Sequence, residues 1–160
     1  MQTMTLEQKV NDFLAQTRIA VAGVSRNRTH HPTGHLICER LKATGHHVFP
    51  VSPHLATFEG DRCYPDVQSI PGGVDAVMII TRPEITARLV RDCYAAGVRR
   101  VWMHQGLAKG TSVSRDALAF CRLHDISVIA GACPMMFGPR VDVGHTCLRL
   151  YLKLTGGLPT

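Results

Sequence analysis

The sequence predicts an α/β fold, built on a doubly wound, mostly parallel sheet of the Rossmann-like type with three layers. Short apolar runs alternate with amphipathic helical patterns along the chain, an order typical of parallel strands joined by helices. The run at 76–80 is apolar at every position, as in strands buried on both faces. A length of 160 residues and a hydrophobic content of 45% indicate a single domain, residues 1–160.

Local signals set the bounds of each element. Helices are predicted where apolar residues recur every three or four positions, and strands where short apolar runs lie between turn residues. The predicted elements are, in order, a helix (1–16), a strand (18–22), a helix (32–45), a strand (47–51), a short edge strand (62–64), a strand (75–80), a helix (81–97), a strand (99–103), a helix (112–124), a strand (126–130) and a last helix (142–154). The last helix belongs to a C-terminal extension over 138–160.

Capping residues and apolar stripes predict how the helices begin and which face they bury. Thr5 with Gln8, and Thr81 with Glu84, have the three-residue spacing of a capping box, and Pro83 suits a first turn. The predicted inner faces are Leu36, Ile37 and Leu41 in the second helix, Ile85, Leu89, Val90 and Cys93 in the third, and Val143, Cys147, Leu150, Tyr151 and Leu154 in the last. We expect the last stripe to pack on its own domain.

The charge of the chain favours an anionic ligand, because the formal net charge is +6. The basic residues are spread along the sequence, without a Lys/Arg block or an aromatic ladder, so nucleic acid is not expected as a partner. No apolar run has the length of a membrane span, so no membrane is expected either. The six cysteines form no C-x-x-C pair, which fits free thiols in a reducing cytoplasm.

Ligands of a doubly wound sheet bind beyond the carboxyl ends of its strands. The candidate loops are therefore 23–28, 51–54, 81–83, 104–106 and 131–134. In the first loop, Gly23 turns a strand into a basic segment before a helix start, an arrangement that suits a phosphate. The G-x-G-x-x-G fingerprint is incomplete, because Ser25 stands at its second glycine and the next glycine is Gly34. Alternatively, Gly23 only ends the strand.

The residues after the second strand discriminate between nucleotide ligands. Enzymes that bind NAD place a carboxylate there for the ribose hydroxyls, whereas this chain has Ser52, Pro53 and His54. This argues against NAD. It is compatible with a ribose phosphate, as in NADP or coenzyme A, because His54 and cations such as Arg26 and Arg28 would meet its charge.

The other loops offer few side chains suited to chemistry. His104 stands at a strand end, but no carboxylate is placed to orient it, so a hydrogen-bonding role is favoured over acid–base catalysis. Arg82 is either a ligand contact or a solvated surface residue. His31 and His35 are four residues apart, yet a proline between them breaks the helical geometry, and no metal is expected. Cys133 is interpreted as a structural thiol, with contact to a thiol ligand as the alternative.

Five segments occur in one order at consistent spacing. They are Ile-Ala-Val-Ala-Gly-Val-Ser (19–25), His-Val-Phe-Pro-Val-Ser-Pro (47–53), Thr-Arg-Pro-Glu (81–84), Val-Trp-Met-His-Gln-Gly (101–106) and Val-Ile-Ala-Gly-Ala-Cys-Pro (128–134). Together they resemble the small stand-alone CoA-binding proteins, a family similar to the nucleotide-binding N-terminal domain of the succinyl-CoA synthetase α-subunit. The resemblance covers residues 15–137, and so most of the chain.

The resemblance implies a set of ligand contacts. Gly23, Val24 and Ser25 would receive the phosphates, Val51, Ser52 and Pro53 would border the adenine–ribose end, and Thr81, Arg82, Pro83, Gln105 and Gly106 would flank the rest of the ligand. Arg26, His54 and His104 complete the candidate site, which includes no catalytic residue. The chain departs from the family pattern at Ser52, where asparagine is usual, at Thr81, where phenylalanine is common, and in the stretch from Cys133 to the last helix.

We therefore expect a protein that binds coenzyme A or an acyl-CoA without evident catalytic machinery. In the synthetase, catalysis needs a phosphorylated histidine on a separate domain and a partner subunit, and a chain that ends at Thr160 is expected to lack that domain. Two alternatives remain. One is an oxidoreductase that uses NADP and His104. The other is an interaction module without ligand, whose last helix meets a second copy or another protein.

Overall fold

The chain folds as alternating strands and helices, and the computed structural model describes residues 4–106, 110–138, 141 and 143–158. The helices are α1 (Leu6–Leu14), α2 (Thr33–Ala43), α3 (Pro83–Ala95), α4 (Arg115–Leu123) and α5 (Val143–Thr155), with a 3-10 turn at Pro134–Met136. The strands are β1 (Arg18–Ala22), β2 (His47–Val51), β3 (Thr57–Phe58), β4 (Asp61–Arg62), β5 (Ala76–Ile79), β6 (Arg100–Met103) and β7 (Ser127–Ala130). Residues 1–3, 139–140, 142 and 159–160, included in predicted segments, lie outside the described residues.

Five strands form one parallel sheet in the order β2-β1-β5-β6-β7. After β1 the chain adds β2 on one side and β5 on the other, so the winding direction reverses between β1 and β5. This is the doubly wound order of flavodoxin-like sheets, in which ligands bind at the reversal. At the open edge of β2, Val51 bridges Tyr64, the last residue of the predicted edge strand.

The sheet lies between two helical layers, as predicted. Alternate residues of β1 point to opposite faces, because side chains in a strand alternate with a period of two. Ile19 and Val21 pack with α1, α2 and the 3-10 turn, whereas Ala20 and Ala22 pack in the core under α3 and α4. Trp102 of β6 is the largest fully buried side chain.

Helix α2 buries two of the three residues predicted for its inner face. Ile37 and Leu41 are buried as expected, but Leu36 is 48% exposed. The first turn packs tightly on the sheet through Gly34, where a Cβ atom would lie 3.1 Å from the Cδ1 atom of Ile80. This close approach of the Gly34 backbone points position 36 toward solvent.

The capping box predicted at Thr81 is wrong. Helix α3 begins at Pro83, with Arg82 at the N-cap and without a side-chain cap. The Thr81 hydroxyl is instead hydrogen-bonded to that of Thr86 at 3.0 Å, and Thr86 is fully buried. Because Thr86 faces the sheet, Ile85 is turned outward and is 52% exposed, contrary to prediction. The rest of the predicted inner face is confirmed, since Val90 and Cys93 are fully buried and Leu89 packs against the core.

Helix α5 also packs through a face other than the predicted one. Leu148 and Leu152 contact the core between the sheet and this helical layer. The predicted stripe of Val143, Cys147, Leu150, Tyr151 and Leu154 is exposed. The expectation that this stripe packs on its own domain is therefore wrong. Among the described residues, no helix combines the length and apolarity that a membrane crossing requires.

Candidate functional site

The five candidate loops lie at one edge of the sheet and are tied together by backbone hydrogen bonds. Each bond runs from an amide in one loop to the last residues of a neighbouring strand. They are Gly23 N to Val51 O, Ile80 N to Ala22 O, His104 N to Ile79 O and Gly131 N to Met103 O, each 2.9 Å long. Because the strands are parallel, all five carboxyl ends meet at this edge, and a ligand that spans the edge reaches all five loops.

The loops after β1 and β5 touch at the winding reversal, and Gly23 makes this contact possible. Its φ angle is +105°, in the region that favours glycine. A Cβ atom at this position would lie 2.7 Å from the Cγ2 atom of Thr81 and 3.1 Å from the carbonyl carbon of Ile80. The absence of a Cβ atom at Gly23 therefore lets the loop after β1 pack against Thr81 and the backbone at the end of β5.

The loop after β1 contacts a buried histidine that the sequence analysis did not assign to the site. His35 is buried in α2, and its Nε2 atom lies 3.0 Å from the carbonyl oxygen of Ser25. Its Nδ1 atom lies 2.7 Å from Glu59 Oε1, without hydrogen-bond alignment. Asn27 N donates to the Ser25 hydroxyl at 3.3 Å. These contacts fix the Ser25 backbone, while the Val24 side chain is buried in the core.

The cations around this loop have different surroundings. The guanidinium of Arg28 already has acidic partners, because it forms a salt bridge with Glu39 and lies 3.6 Å from Glu59. Arg26 and Arg82 are exposed on the two loops that meet at the winding reversal. Arg26 and Arg82 are therefore the guanidinium groups best placed to meet an anion at this edge.

The end of β2 presents backbone and small polar groups. Val51 and Ser52 are buried, and Ser52 N donates to Tyr64 O at 2.9 Å. Pro53 and His54 are exposed beside them. The closest acidic side chain that follows, Glu59, points at His35 and Arg28 rather than at the strand end.

His104 is half-buried at the end of β6, and burial lowers its pKa to about 4. The imidazole is therefore neutral at pH 7. No carboxylate among the described residues contacts its ring, so the arrangement lacks the orienting partner typical of catalytic histidines. Gln105 N donates to Ala132 O at 3.2 Å, which joins this loop to the one after β7.

The lowered pKa of His104 predicts how stability depends on pH. The pKa in the folded state, about 4, lies below the unfolded value of 6.5, so the unfolded chain binds more protons between these limits. This contribution to stability is complete above pH 6.5 and is lost as the pH falls toward 4. We expect His104→Gln to lose less stability between pH 7 and pH 5 than the wild type, measured by urea denaturation. The exposed His30→Gln serves as control, and an equal decline in wild type and His104→Gln would contradict the assignment.

The histidines considered as metal ligands, and Cys133, have different surroundings in the structure. His31 is exposed whereas His35 is buried, and the described residues contain no group of three or more His, Cys, Asp or Glu side chains placed to hold a metal ion. Cys133 is half-buried near the end of β7, and burial raises the pKa of its thiol. A protonated thiol is a weak nucleophile.

Comparison with known proteins identifies relatives over most of the chain. The family model of the CoA binding domain matches residues 17–139. Acetate–CoA ligase (ADP-forming) II of Archaeoglobus fulgidus is 27% identical over 126 residues. That alignment covers 74% of this chain but only 18% of the ligase, so the chain corresponds to a small part of that enzyme.

Solved structures share the fold at low sequence identity. A hypothetical protein from Pyrococcus horikoshii has a TM-score of 0.73 and 22% identity, with 84% of this chain and 94% of that chain covered. The apo form of a dinucleotide-forming acetyl-coenzyme A synthetase from Ca. Korarchaeum cryptofilum has a TM-score of 0.57 and 24% identity, with 71% of this chain and 25% of the synthetase chain covered. With a family match over residues 17–139 and this sheet topology, the chain belongs to the CoA-binding domain family.

Proposed function

We propose that this protein binds coenzyme A or an acyl-CoA at the carboxyl edge of its sheet, with the diphosphate on the loop after β1. The observation behind the proposal is the contact between Gly23 and Thr81 at the winding reversal. It brings the loop that precedes α2 against the loop that precedes α3. The first turn of α2 also approaches this reversal, since a Cβ atom at Gly34 would lie 3.1 Å from Ile80 and 3.4 Å from Val24. Two helix N-termini beside one loop contact are an arrangement suited to phosphate.

The side chains around this region suit the rest of the ligand. Arg26 and Arg82 are exposed cations for the diphosphate and the ribose phosphate, with His54 as a further donor. The residues that follow β2, Ser52 and Pro53, carry no carboxylate that would repel a phosphate on the ribose. The family match supports coenzyme A over NADP, and the neutral, unoriented His104 gives no support to hydride or proton transfer.

Calorimetric titration with CoA, 3′-dephospho-CoA, NADP and NAD tests this proposal. We expect CoA to bind with micromolar affinity, 3′-dephospho-CoA to bind more weakly, and NAD not to bind. Selective binding of NADP would move the protein to the oxidoreductases. Failure of all four ligands would contradict the proposal and direct attention to protein partners, including a second copy.

The role of the exposed cations predicts a charge-specific effect. Arg26→Ala is expected to weaken CoA binding about fivefold, because one solvent-exposed charge–phosphate contact is worth about 1 kcal/mol. The loss should shrink at high salt, since exposed charges are screened. Arg122→Ala is the matched control, because it removes an exposed arginine in the last turn of α4, at the opposite edge of the sheet. Equal losses in both variants would indicate a general effect of net charge.

A further inference from the structure

A cavity of about 350 Å³ lies beyond the carboxyl ends of β6 and β7. Gln105 and Gly106 line one side and the loop after β7 lines another. Leu148 and Leu152 of α5 border a third side, and the cavity opens to solvent. Its volume is roughly ten times the ~30 Å³ that one water molecule occupies in the liquid. The cavity therefore has room for a group of several carbon atoms.

The walls are polar and apolar in similar shares, and the backbone acceptors beside the apolar side chains are already satisfied. Met136 and Ala132 are buried, and Leu148 and Leu152 are half-buried. The indole Nε1 of Trp102 donates to the carbonyl oxygens of Gly131 and Ala132 at 3.0 and 3.2 Å. Because these acceptors have donors, an occupant of the cavity needs no polar group to match them.

The position of the cavity relates it to the phosphate region. The cavity lies at the ends of β6 and β7, which are the second and third strands from β1 along the same edge of the sheet. At ~4.8 Å between neighbouring strands, this is about 10–14 Å. The pantetheine arm of coenzyme A leaves the diphosphate as an extended chain and ends in the thiol or thioester. An arm that follows the edge past Thr81 and Gln105 brings this end to the cavity.

We propose that this cavity receives the acyl group of a short-chain, apolar acyl-CoA, so that the protein binds such an acyl-CoA more tightly than free CoA. The inference rests on the proposed function. Helix α5, which carries Leu148 and Leu152, lies beyond the matched family segment, residues 17–139. Cys133 also lines the cavity, and burial raises the pKa of its thiol, which disfavours the thiolate form that would attack a thioester.

The test is a series of titrations with CoA and its acetyl, propionyl, butyryl and hexanoyl thioesters. Each methylene that enters the cavity should raise affinity about fourfold until the space is filled. The readout is the ratio of the dissociation constants of CoA and butyryl-CoA. We expect Leu152→Asn to lower this ratio at least fivefold. Leu154→Asn should leave the ratio unchanged, because Leu154 lies on the same helix but is 79% exposed.

The outcomes separate this inference from the proposed function. If CoA binds and affinity is flat along the acyl series in the wild type, the acyl inference is overturned while coenzyme binding stands. Equal ratios in Leu152→Asn and Leu154→Asn would overturn it as well. If no thioester and no CoA bind, both proposals fail. The wild-type series decides the question even if Leu152→Asn does not fold.

Discussion

Replacing Trp102 by alanine is expected to lower the free energy of unfolding by about 4 kcal/mol, the typical cost of removing a fully buried tryptophan. Trp102 is fully buried and packs edge-on against Phe13 at 5.4 Å and Phe137 at 5.7 Å between ring centroids. The substitution also leaves the carbonyls of Gly131 and Ala132 without their indole donor. For a domain of this size the loss corresponds to a fall in Tm of about 10 °C.

Circular dichroism during urea denaturation measures this effect, because Trp102 is the only tryptophan and its replacement removes the fluorescence probe. Trp102→Phe keeps most of the packing but not the N–H group, and we expect it to cost about 2 kcal/mol. Tyr151→Ala, a truncation on the exposed face of α5, should change stability by less than about 0.5 kcal/mol. A Trp102→Ala variant as stable as Tyr151→Ala would refute the account of this core.

Gly23→Ala is the second substitution with a large expected effect, and it acts on both stability and binding. The new Cβ atom would stand 2.7 Å from Thr81 Cγ2 and 3.1 Å from backbone, at a φ angle of +105°. We expect a loss of about 3 kcal/mol in stability from strain and steric contact. Separation of the two loops would also remove the amide–phosphate hydrogen bonds of the proposed binding mode. Two such bonds at ~1.5 kcal/mol each correspond to a loss of about 100-fold or more in CoA affinity.

Gly45→Ala is the matched control for this prediction. Gly45 has a similar φ angle of +92°, but a Cβ atom there would meet nothing within 4 Å. It follows α2 at the opposite edge of the sheet. We expect a cost of about 1 kcal/mol, the conformational part alone, and unchanged CoA binding. If Gly23→Ala and Gly45→Ala change stability and CoA affinity equally, the steric contact at the winding reversal contributes to neither, and the prediction is contradicted.

The order and the approximate bounds of the elements could be predicted from the sequence, because they depend on local signals. The apolar run of β5 and the capping box at Thr5 and Gln8 are present as predicted. The grouping of five loops at one edge also follows from the chain alone, since strands joined by helices run parallel. The identification of candidate residues such as Gly23 and Arg26 depended on this rule and on the family resemblance.

The faces of the helices could not be predicted as well, because apolar spacing leaves a choice between neighbouring stripes. In α2, Ile37 and Leu41 are buried as predicted, but the close approach of Gly34 to Ile80 leaves Leu36 exposed. In α5, Leu148 and Leu152 pack against the core and line the cavity, whereas the predicted apolar stripe faces solvent. Packing against distant segments makes this selection.

By itself, the sequence determined the α/β class, the alternation of elements and the loops that end the strands, because hydrophobic period, caps and glycine turns act over a few residues. Only the tertiary structure decided the strand order with its reversal between β1 and β5, the contact of His35 with Ser25 and Glu59, and the cavity bordered by α5. Each of these joins segments far apart in the chain. Their geometry depends on how layers pack as a whole, which no local pattern encodes.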